Sequence, residues 1–125
     1  MELPAKPTAR PPLCPGKLQV EERPLLTPAE AGELAGVFKI LAGDTRLRLL
    51  HALIRAGELG VLELAETVAM KPQAVSNQLQ RLLDRGILGS RRQGVHIFYR
   101  IEDPCVVSLL DQGLCLMEDA RERQK

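Results

Sequence analysis

The stretch from residue 61 to residue 86, VLELAETVAMKPQAVSNQLQRLLDRG, predicts two helices separated by a tight turn, and it decides the fold. Pro72 cannot continue a helix from Met70, but proline is favourable in the first turn of a new helix. In that second helix, the 3.6-residue period places the apolar side chains on one face and leaves amide and guanidinium groups on the other. The apolar face consists of Val75, Leu79, Leu82 and Leu83. A short helix, a turn and a helix of this kind are typical of a helix-turn-helix.

The polar face of the second helix has the chemistry of a surface that reads DNA. Glutamine and asparagine match adenine in the major groove, and arginine matches guanine or a phosphate. A merely solvated surface would have the same composition, so the argument also depends on charge: residues 71–100 carry six basic side chains and one acidic one. We therefore predict contacts with double-stranded DNA from Lys71, Gln73, Ser76, Asn77, Gln78, Gln80, Arg81, Arg91 and Arg92.

After the helix-turn-helix the hydrophobic period changes from 3.6 to 2, which predicts two short strands. Gln93-Gly94 supplies the turn between them, and Arg91 and Arg92 lie near the tip of the resulting hairpin, or wing. In the second strand, Val95, Ile97, Tyr99 and Ile101 alternate with His96, Phe98 and Arg100.

Three further helices are predicted around this unit. Thr27 is a natural N-cap, with Glu30 completing a capping box, for a helix at about 28–41. A second helix begins at Asp44 or Thr45 and stops at Gly57, and the last runs from Asp103 or Pro104 to about 120. The predicted fold is mainly α with a β-hairpin wing, a winged helix-turn-helix.

The two ends of the chain are predicted to lie outside this domain, which spans residues 27–120. Residues 1–26 contain six of the nine prolines, which predicts a flexible arm without regular elements, with Cys14 in its middle. Residues 121–125 form a short charged tail.

Composition excludes several classes of protein. No apolar run reaches the roughly 18 residues of a membrane span, and the N-terminus lacks the apolar region of a signal peptide, so we expect a cytoplasmic protein without a membrane partner. In that reducing compartment, three cysteines do not predict a disulfide framework. There is no glycine-rich phosphate loop and no plausible nucleophile and base pair, so we expect neither an enzyme nor an organic cofactor.

From about Glu33 to Cys115 the chain resembles the ArsR/SmtB family of winged helix-turn-helix repressors, small bacterial dimers that leave their operators when an ion or thiol-reactive inducer binds. The matching segments are ILAGDTRLRLLHAL, GELGVLELAETVAMKPQAVSNQLQRLLDRGIL and SRRQGVHIFYRIEDP. The family's frequent Ser-x-His-Leu reads Ser76-Asn77-Gln78-Leu79 here, which affects base preference. The resemblance implies a homodimer joined through the first and last helices, and an operator with an inverted repeat.

The resemblance also indicates where an inducer would bind. The family's third-helix site is absent, because residues 60–65 contain no cysteine. Its carboxylate and histidine site on the last helices is doubtful, because Asp103 matches the first ligand but the next falls on Cys105 and the distal one on Leu116. The thiols of Cys105 and Cys115 lie at or beside these positions, and they are softer ligands than carboxylates or histidines.

These thiols lead to a hypothesis about the inducer. Cys105 and Cys115 are ten residues apart, about 15 Å along a helix, so one helix cannot offer both to one ion. In an antiparallel pair of last helices, Cys105 of one subunit lies opposite Cys115 of the other, and Cys14 can reach either as a third ligand. Thiolates select soft ions, so we predict mercury(II) or an organomercurial, with arsenite, cadmium and zinc as alternatives.

Other interpretations of the same residues remain open. Free cysteine is often buried as a small hydrophobe, which would make the thiols inert. A redox or persulfide sensor is disfavoured because the second-helix cysteine of such relatives is His51 here. A winged helix that serves only as a protein-interaction module is also possible. Salt dependence separates these alternatives, because true DNA binding weakens steeply with salt.

Overall fold

The structure, a computed structural model, describes residues 16–124. Cys14 and the rest of residues 1–15 lie outside the described residues. Residues 16–26 of the predicted arm are not wholly irregular, because Val20–Glu22 forms a 3₁₀ turn. The Glu22 carboxylate accepts a hydrogen bond from the Gln19 N–H at 2.9 Å, which closes this turn locally.

The described chain is a winged helix-turn-helix, mainly α, as predicted. The helices are α1 (Pro28–Leu41), α2 (Asp44–Ala56), α3 (Val61–Val68), α4 (Pro72–Asp84) and α5 (Pro104–Arg123). The strands are β1 (Leu59–Gly60), β2 (Leu88–Gln93) and β3 (His96–Ile101). Among the helices of residues 16–124, none is both long enough and apolar enough to cross a membrane.

The sheet differs from the prediction in two respects. It has three antiparallel strands in the order β1-β3-β2, because the two-residue β1 pairs with β3. The turn of the wing is Gly94-Val95, one residue later than predicted, since Gln93 pairs with His96. Gly94 has a φ of +66°, and glycine at the first of two central positions is what a type II′ hairpin requires.

The turn of the helix-turn-helix depends on backbone geometry at the end of α3. Ala69 adopts the left-handed conformation with a φ of 57°, and its N–H donates to the carbonyls of Ala65 and Glu66. The N–H of Met70 donates to the Ala65 carbonyl at 2.9 Å. These bonds satisfy the last carbonyls of α3, and Pro72 then begins α4.

One aliphatic core joins α2, α3, α4 and the sheet. Its fully buried members are Leu49, Leu50, Leu53, Leu64, Val75, Leu79 and Leu82. By contrast, α1 buries only Leu41 and α5 buries only Val106. The two outer helices therefore have apolar surface that this protomer alone does not cover.

The last helix is longer than predicted. It continues to Arg123, three residues into the predicted tail. Arg121 and Arg123 lie in its last turn, where positive charge interacts favourably with the negative end of the helix dipole.

Candidate nucleic-acid interface and thiol site

Helix α4 presents a polar surface on a rigidly packed support. Val75, Leu79 and Leu82 are fully buried beneath it. The side chains of Gln73, Asn77, Gln80 and Arg81 are exposed, as is Lys71 at the N-cap position. Ser76 and Gln78 are half-buried at the margin of this surface. The structure thus brings together the predicted contact residues of α4.

Two hydrogen-bonded side-chain pairs order the exposed side chains of α4. The Gln73 Nε2 donates to the Asn77 Oδ1 at 3.1 Å, and the Gln80 Nε2 donates to the Asp84 Oδ1 at 2.8 Å. Both pairs have the four-residue spacing at which helix side chains meet. Because Asp84 offers only acceptors, the Oε1 of Gln80 is left facing away from this pair.

The two wing arginines are not equivalent. Arg91 pairs with Glu58 in the loop before β1, with an Nη2 to Oε1 distance of 2.7 Å, and its Cζ lies 4.8 Å from the centre of the Phe98 ring. The hydrogen bond from Arg91 lowers the pKa of the Glu58 carboxyl, and the same bond raises the pKa of Arg91. The Arg92 side chain is exposed and makes no hydrogen bond or ion pair within residues 16–124. Arg92 is therefore available to a phosphate, whereas Arg91 is already partly neutralised.

Cys105 lies half-buried in the first turn of α5. Its N–H donates to the Oδ1 of the N-cap residue Asp103 at 2.9 Å. This backbone hydrogen bond lowers the pKa of Asp103, helped by a hydrogen bond from the Cys105 side chain and by the positive charge of Lys17. Lys17, in the segment that precedes the domain, therefore lies near the start of α5.

Cys115 lies on the exposed surface of α5, with its Sγ 3.8 Å from the Asp119 Oδ2. Neither Cys105 nor Cys115 forms a disulfide. Within residues 16–124, no group of three or more histidine, cysteine or carboxylate side chains is placed to hold a metal ion. A single protomer, as far as it is described, therefore does not bring the predicted thiol ligands together.

Cys105 borders a cavity of about 200 Å³ between α1, the end of α4 and the start of α5. Arg85, which follows the last residue of α4, lines this cavity together with Asp103 and Cys105. The Arg85 guanidinium packs against Gly36 of α1, where an added Cβ would lie 3.0 Å from its Nη2. The thiol is thus in the same cavity as the C-terminal end of the helix that carries the predicted DNA contacts.

The outer helices expose a continuous apolar surface. A groove of about 530 Å³ lies between α1, α2 and α5. Phe38 on α1 is 49% exposed, and Leu114 and Met117 on α5 are 44% and 42% exposed. Contiguous apolar patches are uncommon on monomeric proteins and mark interaction sites. We name the patch formed by Leu34, Phe38, Leu109, Leu114 and Met117 the outer apolar face.

Comparison with known proteins agrees with this architecture. A helix-turn-helix domain model matches residues 41–91. The chain is 34% identical, over 86% of its own length and 83% of the relative's, to a probable mercury resistance operon repressor of Streptomyces lividans.

Two solved structures extend the comparison. The AntR antimony-specific transcriptional repressor is 60% identical, with a TM-score of 0.74, and the match covers 87% of this chain and 98% of AntR. A homodimeric winged helix-turn-helix domain from Mycobacterium bovis, a possible ArsR-family regulator, is 27% identical, with a TM-score of 0.68 and coverage of 88% and 95%. Both matches cover more than four fifths of the chain. The chain belongs to the ArsR/SmtB family of winged helix-turn-helix, metal-responsive transcriptional repressors.

Proposed function

We propose that this protein is a cytoplasmic repressor that binds an inverted-repeat operator as a homodimer and leaves it when antimony(III) binds its cysteine thiolates. The observation that carries the choice of inducer is the 60% identity, over 87% of this chain, to the AntR antimony-specific repressor. Antimony(III) is a soft ion, and thiolates are the protein ligands that such ions prefer.

The proposed DNA contacts are those of α4 and of the wing. In this assignment, the amides and hydroxyl of α4 reach base edges, while Lys71 and Arg81 contact phosphates beside them. Arg92 and Arg91 contact the backbone flanking the site. The exposed and ordered polar face of α4 supports this assignment, as does the net positive charge of residues 71–100.

We expect Glu58→Gln to tighten binding to operator DNA. The Glu58 carboxylate holds and neutralises Arg91, so its removal makes one more cation per subunit available to the phosphates. At low salt the affinity should rise about 3- to 10-fold, and the plot of log affinity against log salt should steepen by about 0.9 per subunit. Fluorescence anisotropy at several salt concentrations measures both. Glu118→Gln, which makes the same change of charge on α5, is the matched control. An unchanged salt slope for Glu58→Gln would show that Arg91 does not contact the DNA backbone.

The proposed ligand set joins two subunits. The outer apolar face supports a dimer through α1 and α5, and in an antiparallel pair of α5 helices Cys105 of one subunit approaches Cys115 of the other. The separation of about 15 Å along one helix rules out a shared ion within a single α5. The site is therefore one that forms only in the dimer.

Cys14 is the proposed third ligand. It precedes Lys17 by three positions, so a fully extended chain spans at most about 10 Å between the two Cα atoms. Lys17 lies close enough to Asp103 to lower the pKa of that carboxyl, and Asp103 is two residues from Cys105. Chain length therefore permits Cys14 to reach the Cys105 of its own subunit.

Mercury(II) is the second candidate. The 34% identity to a probable mercury resistance operon repressor favours it, and two thiolates, Cys105 and the opposing Cys115, would satisfy this ion without Cys14. We place antimony(III) first because the similarity to the antimony-specific repressor is greater. Dependence on Cys14 is the chemical difference between the two candidates.

The test uses the full-length protein bound to fluorescent DNA from its own upstream promoter. Fluorescence anisotropy is followed while antimonyl tartrate, arsenite, mercury(II), cadmium(II) or zinc(II) is added. A phosphine keeps the thiols reduced, because a dithiol reductant would itself bind these ions. We expect release at near-stoichiometric antimony(III), with arsenite effective at a higher dose.

The pattern of release decides among the candidates. Release by mercury(II) but not by antimony(III) would show that mercury(II), the second candidate, is the inducer. Release by zinc(II) alone, or by none of the ions, would contradict thiolate sensing. Binding that does not weaken with salt would contradict the DNA-binding assignment itself.

A further inference from the structure

Arg46, in the first turn of α2, connects three parts of the protein. Its Nη1 donates to the Gln78 Oε1 on α4 at 2.8 Å. Its Nε donates to the Ile40 carbonyl at 2.5 Å, and its Nη2 lies 3.5 Å from the Lys39 carbonyl. Both carbonyls belong to the last turn of α1. One side chain thus ties the end of an outer helix to the middle of the DNA-reading helix.

The position of the Arg46 guanidinium depends on Gly43. A Cβ added at Gly43 would lie 2.9 Å from both the Cζ and the Nη2 of Arg46, too close for the guanidinium to remain in place. The backbone at Gly43, with φ −85° and ψ 134°, is in a region open to any residue. Glycine is therefore required here to make room for Arg46, not to permit an unusual backbone conformation.

The contact with Arg46 fixes which way the Gln78 amide points. A guanidinium can only donate hydrogen bonds, so the atom that faces it must be the amide oxygen. The Nε2 of Gln78, which has no hydrogen-bond partner within residues 16–124, is then left as the outward group. A glutamine that reads adenine in bidentate fashion needs both its oxygen and its nitrogen at the base edge. With its oxygen bonded to Arg46, Gln78 turns its Nε2 outward and offers hydrogen-bond donors, which suit the N7 of a purine, the O6 of guanine or the O4 of thymine.

We propose that Arg46 is a positioning residue for operator recognition: anchored on the last turn of α1, it holds Gln78 as a hydrogen-bond donor toward the major groove. The inference rests on the proposed role of α4 as the DNA-reading helix. It assigns to Gln78 a preference for acceptor base edges, in place of the adenine preference that the residue type alone indicates.

A double-mutant cycle tests whether Arg46 acts through Gln78. The variants are Arg46→Met, which keeps the apolar stem, Gln78→Ala, and the two together, with operator affinity measured by fluorescence anisotropy. Each single substitution is expected to weaken binding about 10-fold, the usual order for one base contact. The double variant should bind no more weakly than Gln78→Ala alone, because the residue through which Arg46 acts is already absent.

Base preference gives a second readout that a merely structural role would not change. A panel of operators with each half-site base pair replaced in turn should show that Arg46→Met and Gln78→Ala lose discrimination at the same base pair. Gly43→Ala should lose it there too, although the positive charge of Arg46 is retained. Arg55→Met, which removes an exposed arginine from the same helix, is the matched control and should keep the wild-type profile.

The possible failures are distinguishable. Wild-type protein that binds no promoter DNA would overturn the proposed function and this inference with it. If Arg46→Met discriminated between base pairs as wild type does, or if the losses of affinity in the cycle were additive, this inference would be overturned while the proposed function would stand. A salt slope reduced by about 0.9 per subunit in Arg46→Met would identify a phosphate contact instead, and would also overturn it. The thermal unfolding midpoint of each variant is measured to show that it is folded at the assay temperature.

Discussion

Replacing both Cys105 and Cys115 with serine is expected to abolish release from the operator while leaving operator affinity in the absence of inducer within about 2-fold of wild type. Both residues lie on α5, away from the polar face of α4, and serine is close to cysteine in size. A 100-fold release corresponds to a coupling free energy of about 2.7 kcal/mol between ion binding and DNA binding. Without the thiolates this coupling should fall to about zero.

The measurement is a titration of the DNA complex with antimonyl tartrate, followed by fluorescence anisotropy, for wild type and the double variant. Ser108→Ala, one turn from Cys105 on the same helix, is the control and should respond as wild type does. Cys14→Ser alone should weaken the response if three thiolates bind one ion. Release of the double variant at the wild-type dose would show that the ligands are elsewhere, with the DNA-binding assignment unaffected.

Leu114→Glu is expected to give a monomer whose operator affinity is at least about 100-fold weaker. Leu114 is 44% exposed on the outer apolar face, and burying an unpaired carboxylate in a subunit interface carries a large desolvation penalty. When two half-sites are bound by one dimer, the second contact forms at an effective concentration in the millimolar range. A monomer loses that advantage entirely.

Sedimentation velocity gives the oligomeric state and fluorescence anisotropy gives the affinity. Leu62→Glu is the matched control: it makes the same substitution at a leucine of α3 that is 70% exposed and lies outside the outer apolar face. It should remain dimeric. A Leu114→Glu protein that stayed dimeric at nanomolar concentration would place the subunit interface on another surface.

Local sequence patterns predicted most of the fold because each helix carries its own signals. The capping box of Thr27 and Glu30 is present, with hydrogen bonds of 3.1 and 3.0 Å. Pro72 begins α4 as predicted, and the predicted apolar face of that helix is buried except for Leu83, which is partly buried. These features depend on residues within four positions of one another, so the sequence displays them directly.

The elements that the sequence did not predict are those without a local period. A strand of two residues, such as β1, has no alternation to detect, and it exists because β3 pairs with it. Residue type alone predicts the turn of the wing one residue too early, because the register of β2 against β3 decides its position and that register is a property of both strands together.

The candidate sites divide in the same way. Residue type and helical period predict the exposed polar face of α4, and residue type alone identifies the cysteines as candidate ligands. The sequence does not predict two long-range contacts. Glu58 binds Arg91, 33 residues away, and Arg46 binds Gln78, 32 residues away. No periodicity connects such pairs.

The sequence by itself thus determined the order of helices and wing and the chemistry offered to DNA and to a soft ion, since both follow from short-range spacing and residue type. Only the tertiary structure decided which of those groups are already engaged and which remain available to a ligand. The reason is physical: hydrogen bonds and ion pairs between distant segments form when core burial brings α2, α4 and the sheet together, and that burial depends on the whole chain at once.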